Sequence, residues 1–198
     1  MQKAFQDLLR PELFLSISGG GEVKIKEGDP TAVLKELLIK RVPNGSVVFE
    51  LDHKPKGDLK SRLNKAFDQL SCHINGGHFK ANKKCDFVIV SPGEENSKVV
   101  LGDLKSLKPK KSSCSAQLRN SEIFVEFLLK LLSEYHGEEI NPDFRKVVFF
   151  VVSATNMKMP TQQKNRPKIQ ECQGVYFYPV TVGGRNNSSA LVAYTSFV

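Results

Sequence analysis

The sequence predicts an α/β fold: a mixed central sheet with helices packed on it and further strands added at both ends. Strand-length apolar runs, bounded by turn residues, recur at 47–51, 87–90, 99–101, 146–152 and 175–182. Two longer segments, 58–72 and 116–136, carry apolar residues at helical spacing instead. Across roughly 58–153 the order is helix, strand, strand, strand, helix, strand, which reads as the core of a single domain. Residues 1–57 and 154–198 then form extensions packed on that core.

In chain order, residues 2–10 predict a short helix with Phe5, Leu8 and Leu9 on one face, ended by Arg10-Pro11. Leu13–Ser18 and Glu22–Lys26 alternate around three glycines and predict a hairpin. No G-x-x-x-x-G-K-[ST] follows those glycines, so they read as a turn, not a phosphate loop. Asp29-Pro30 looks like a helix start, with Val33, Leu34, Leu37 and Leu38 as the buried stripe of a helix over 31–41. Pro43-Asn44-Gly45 turns into a strand over 47–51. The 58–72 helix puts Leu59, Leu63, Ala66, Phe67 and Leu70 inward and Lys60, Arg62 and Lys65 outward. His73 and His78 sit in the following loop without a second ligand pair, and Phe79–Lys84 reads as a short strand.

Cys85–Ser106 predicts a hairpin whose strands flank the turn-rich Ser91–Ser97. Polar groups stand where a plain buried hairpin would not want them: Asp86 opens the first strand, and Asp103 and Lys105 close the second. Alternation puts Asp103 and Lys105 on one face and Leu104 on the other. Setting Val90 opposite Lys98 brings Asp86 level with Gly102, one residue from Asp103. Two carboxylates and a lysine then converge at one end of the hairpin, with a glycine leaving room between them. Close carboxylates repel unless a cation lies between them, and hard oxygen ligands suit Mg²⁺ or Mn²⁺. Such an ion can polarise a phosphodiester and acidify a bound water, and the lysine can hold that water or stabilise charge on phosphate.

An Asp, a hairpin's worth of residues, then Asp-x-Lys at the end of an apolar strand resembles the PD-(D/E)xK, or restriction-endonuclease-like, nuclease superfamily. Asp86 matches its first acidic position, Asp103 the second and Lys105 the lysine; Cys85 stands where that family often has proline. The resemblance implies an αβββαβ core, Asp86, Asp103 and the Leu104 carbonyl as metal ligands, and Lys105 acting on the attacking water. It also implies a role near the metal for Gln117, twelve residues after Lys105, and a third carboxylate for which Glu36, Glu50 and Asp68 are candidates. A homodimer that cuts both strands is a family habit. The implied activity is metal-dependent hydrolysis of DNA, in restriction, phage defence or repair. Two rivals stay open: a nucleic-acid-binding protein on the same fold, and a basic interaction protein whose Asp-x-Lys is accidental.

Charge points the same way. Of a net +8, the span 54–111 holds +7, with thirteen Lys/Arg against six acids, while the remainder has sixteen against fifteen. A concentrated basic face favours a polyanion, double-stranded DNA above all. Lys108, Lys110 and Lys111 lie in a polar loop suited to phosphates, with Arg119 and Asn120 on the helix after it. That helix is expected over 116–136, with Ile123, Phe124, Phe127, Leu128, Leu131 and Leu132 inward. Thr155–Gln173 reads as a long recognition loop bearing Gln162, Gln163, Asn165 and Arg166. A last strand is expected over 191–197.

No apolar run approaches a membrane span, and the acid-containing, amphipathic N-terminus does not resemble a secretory or transit peptide. Cys72, Cys85, Cys114 and Cys172 are widely spaced, which argues against a zinc site and for reduced thiols in a cytoplasmic protein.

Overall fold

Aliphatic and aromatic residues fill most of the segments that pair, and these segments build two sheets. The computed structural model describes residues 1–53, 81–107, 109–152, 168–182 and 188–198. Strands β1 (Val23–Lys26), β2 (Glu36–Lys40) and β9 (Ser189–Ala193) form a small sheet in the order β1-β2-β9. Strands β3 (Val47–Glu50), β4 (Phe87–Ser91), β5 (Ser97–Lys105), β6 (Pro142–Val151), β7 (Gln170–Cys172) and β8 (Val175–Val180) form a six-stranded sheet in the order β3-β4-β5-β6-β8-β7. β3, β4 and β5 make an antiparallel meander; β5, β6 and β8 run parallel. Between β5 and β6 the chain crosses through a long helix, α2 (Lys111–His136). A short helix, α1 (Gln2–Leu8), precedes everything.

Each face of the large sheet has its own core. Val47, Phe49, Val88, Val90, Val99, Leu101 and Val148 pack against Phe5 of α1 and Cys114, Leu118, Val125 and Leu132 of α2. From the alternate positions, Val48, Phe87, Ile89, Val100, Leu104, Val147 and Phe149 meet Val23, Ile25, Leu37, Ile39 and Val192 of the small sheet. The sheet is mixed, as expected. Among the described residues, however, its second face is covered by a sheet and not by a helix.

Several elements depart from the sequence reading. Residues 36–40 form a strand instead of a helix. The run is short enough to suit either period, and pairing with β1 and β9 on both sides decides it. Asp29 does not cap a helix there: its Oδ1 accepts from Thr31 N and Oγ1 at 2.8 and 2.7 Å in a tight turn. The expected hairpin over 13–26 reduces to a single bridge between Ile17 and Val23, while Phe14 bridges to Phe49. Residues 81–84 form a turn and irregular chain rather than a strand. α2 begins at Lys111, five residues earlier than expected. Its inward stripe includes Cys114, Leu118, Ser121 and Val125, leaving Ile123 and Phe127 at 59% and 53% exposure. β7 lies inside the expected loop 155–173. The 58–72 helix, His73, His78 and the quartet 162–166 lie outside the described residues.

The hairpin register is offset by one from the expectation. Val90 faces Val99 and Phe87 faces Gly102, so Asp86 arrives level with Asp103 itself. Gly102 therefore has a different purpose. A Cβ there would overlap the Phe87 ring, which lies across the glycine on the small-sheet face. The glycine admits a cross-strand aromatic rather than a ligand. Gly102→Ala is expected to lower stability by about 1–3 kcal/mol, read from urea unfolding; an unchanged midpoint would contradict this packing.

Candidate active site

Three consecutive side chains of β5 divide between the two cores. Leu104 packs toward the small sheet, and Asp103 and Lys105 face α2. Asp103 is completely buried. Its Oδ1 accepts from Gln117 Nε2 at 3.0 Å, and its Oδ2 lies 2.7 Å from Lys105 Nζ. The ammonium stands off the line of a hydrogen bond, so Oδ2 is ion-paired but lacks an aligned donor.

Asp86 sits just before β4, where its N–H still bonds Gly102 O at 3.0 Å. Its Oδ2 accepts from Leu104 N at 2.5 Å. β4 pairing stops at Phe87, so this side of Leu104 has no strand beside it and the Asp86 carboxylate takes the ladder position. A strand residue turns its N–H and C=O to the same side. The Leu104 carbonyl therefore turns to the same strand edge as its N–H, the side on which Asp86 lies.

Gln117 lies on the second turn of α2, not the first, because the helix starts early. Its Nε2 bridges Lys84 O at 2.5 Å and the Asp103 carboxylate. One turn on, Ser121 Oγ donates to Gln117 O and accepts from Cys85 N at 2.7 Å. Helix α2 thus fixes both the residue before Asp86 and the orientation of Asp103. Ser121 and Lys84 were not singled out in the sequence; a serine inside an apolar helical stripe was the available signal.

Burial raises the pKa of Asp86 well above its ordinary value; Asp103 adds to the rise, and Lys105 and the Leu104 amide offset part of it. Burial raises Asp103 too, against the pull of the Lys105 ammonium. Burial would lower Lys105, but Asp103 and Asp86 together outweigh it and hold its pKa above the ordinary value. Burial, then Asp103, pushes the neighbouring Cys114 thiol up to about 11, so it stays protonated. Cys85 is raised further, also by burial, and Cys85, Cys114 and Cys172 are all free thiols.

A cleft of about 340 Å³ opens beside Asp86, lined by Glu27, Glu50, Asp52 and His53 among others. Of the three candidates for a further carboxylate, Glu50 reaches this cleft, but its Oε2 pairs with His53 Nδ1 at 3.1 Å. Glu36 pairs with Lys24 on the small sheet, and Asp68 lies outside the described residues. Glu27, at the end of β1, was missed; both aspartates feel its charge. Only the packing of one sheet on the other brings it there. Among the described residues no three His, Cys, Asp or Glu groups converge to hold a metal ion. The donor set fits Mg²⁺ or Mn²⁺ in another way: two carboxylates, one with a buried oxygen lacking a donor, and a main-chain carbonyl, with water completing the shell.

Among the described residues the basic side chains of this span are spread over several places. Lys84 is buried and 3.5 Å from Asp52, and Lys98 pairs with Asp143 at the far end of β5, roughly 23 Å from Lys105 along the strand. Lys110 and Lys111 are exposed at the start of α2, with Lys111 Nζ 5.7 Å above the Phe177 ring. Arg119 is exposed but lies roughly 200° around the helix from Gln117, so it does not share the site's face. Lys108 lies outside the described residues.

No protein-family model, curated protein or solved structure matches this chain. Its chemistry is therefore read from its own geometry.

The acidic pair has a consequence for stability. The folded state holds the Asp86 proton more tightly than the unfolded chain does. That contribution is complete below the ordinary value of 3.8 and is lost as pH rises through the raised folded value. Asp86→Asn, which keeps an acceptor for Leu104 N, is expected to be more stable than wild type at pH 7 by on the order of 1 kcal/mol. The difference should close below about pH 4, read from urea midpoints across pH. A less stable variant at pH 7 would contradict the strained pair.

Proposed function

We propose that this chain is a metal-dependent deoxyribonuclease of the PD-(D/E)xK type. The observation that carries the reading is Asp103: a fully buried carboxylate with one oxygen lacking a donor, beside Asp86 and Lys105. The order of the meander β3-β4-β5, helix α2 and parallel strand β6 supports the βββαβ part of an αβββαβ core. Asp103, with Asp86 level with it, falls at the carboxyl end of β5, where open α/β sheets bind ligands.

Asp86, Asp103 and the Leu104 carbonyl would hold Mg²⁺ or Mn²⁺. When bound, the ion polarises the phosphodiester and lowers the pKa of a water. Lys105, kept protonated by the acidic pair, is suited to donate to the attacking water or to phosphate oxygens as charge develops on them. Gln117 acts through Asp103, holding its carboxylate toward Asp86. Lys110 and Lys111 provide backbone contacts outside the site.

Supercoiled plasmid is expected to be cut with Mg²⁺ or Mn²⁺ and not in EDTA. Asp103→Ala and Lys105→Ala, folded by circular dichroism, should each lower the rate by at least about a hundredfold. Cutting that survives both substitutions would place the active site elsewhere. Salt-dependent binding without cutting would favour a binding module on the same fold. Independently of activity, Mn²⁺ should raise the melting temperature of the wild type and leave that of Asp103→Ala unchanged; equal shifts would contradict the assigned ligands.

A further inference from the structure

Helix α2 carries more apolar residues than the sheet uses. Its buried stripe, which includes Cys114, Leu118, Val125 and Leu132, packs on the large sheet. At about 100° per residue, Phe127 lies roughly 140° around the helix from the middle of that stripe. Phe127 is 53% exposed, Ile123 one turn before it 59% and Tyr135 two turns after it 73%, with Leu131 between them half-buried. Single exposed apolar side chains are ordinary on a protein surface. Four at a spacing of four residues form one row about 18 Å long. A helix with a second apolar side is one built to bury that side as well.

The residues flanking the row indicate what covers it. Viewed along α2, Phe124 and Leu131 lie to one side of Phe127, and Arg119, Glu126, Lys130 and Glu134 lie to the other. These four charged side chains are exposed and make no ion pair among the described residues. Their signs alternate along the helix: positive, negative, positive, negative. A second α2 running antiparallel presents the opposite order. With Phe127 at the midpoint, Arg119 falls beside the partner's Glu134 and Glu126 beside the partner's Lys130, each pair within about 3 Å of level along the axis. On the other flank Phe124 falls beside the partner's Leu131. A parallel copy would instead set the charged flank of one helix against the apolar flank of the other. Charges beside an apolar seam select partner and orientation in this way.

We propose that two copies of this chain pair through this face of α2, antiparallel and about a two-fold axis at Phe127. A face about 25 Å long on a helix about 10–12 Å across offers on the order of 400 Å² per copy. That is small for a specific pair, so the dimer forms in the micromolar range. The pairing stands whether or not the chain cuts DNA.

The test is sedimentation equilibrium of the full chain from about 1 to 300 µM, beside Phe127→Glu, Glu126→Lys, Lys130→Glu and the double Glu126→Lys/Lys130→Glu. The wild type is expected to approach twice the monomer mass as concentration rises. Phe127→Glu should stay at the monomer mass and, at the lowest concentration, unfold at the wild-type urea midpoint. Each single charge reversal should weaken association about tenfold, and the double exchange should restore it to within about threefold of wild type. A wild type that stays monomeric throughout, or association that survives Phe127→Glu, would overturn the pairing. So would a Phe127→Glu monomer that is less stable than wild type, since the row would then be covered within one chain. Single reversals without effect, or a double exchange that fails to restore association, would overturn the antiparallel arrangement.

Discussion

A carboxylate removed from water needs compensation, and in this chain the ionised Asp103 obtains it from two sources. The ammonium of Lys105 stands 2.7 Å from one oxygen, and the amide of Gln117 donates to the other. Both depend on the architecture. Lys105 shares a face with Asp103 because β5 stays regular to its last residue, held along its length by parallel β6. Gln117 reaches Asp103 because α2 begins at Lys111 and packs Cys114, Leu118 and Val125 on the same face of the sheet.

Asp86 completes the arrangement by interrupting the sheet. Just before β4 begins, its carboxylate replaces a main-chain partner for Leu104 N–H, so this edge of the meander becomes a polar site without leaving that amide unsatisfied. Phe87, the next residue, fills the space over Gly102 on the opposite face and closes the core beneath. One residue belongs to the site and its neighbour to the core. This abrupt change sets two acids side by side at a cost to folding, the pattern expected where stability is given up for chemistry.

Much of this was legible in the sequence because it depends on short spacings. The hairpin, the shared face of Asp103 and Lys105, and the helix carrying Gln117 follow from period-2 and period-3.6 patterns within forty residues. The register was misread by one because turn residues 92–96 fit more than one loop geometry, and that slip hid the reason for Gly102. Residues 36–40 were misassigned because Leu37 and Leu38 suit either period, and only pairing with β1 and distant β9 settles them. Glu27 and the acidic cleft depend on one sheet packing on another, which no local pattern encodes. Nor does sequence spacing show that Lys84 is buried or that Lys98 sits at the far end of its strand, away from Lys105.

The most direct measurement is crystallographic: crystals soaked in Mn²⁺, with anomalous difference density calculated around the end of β5. The expected result is a peak about 2.1 Å from oxygens of Asp86 and Asp103, with Lys105 released from Asp103 Oδ2. An ordered site with no peak, the Lys105–Asp103 pair intact and Mn²⁺ bound elsewhere would contradict the account.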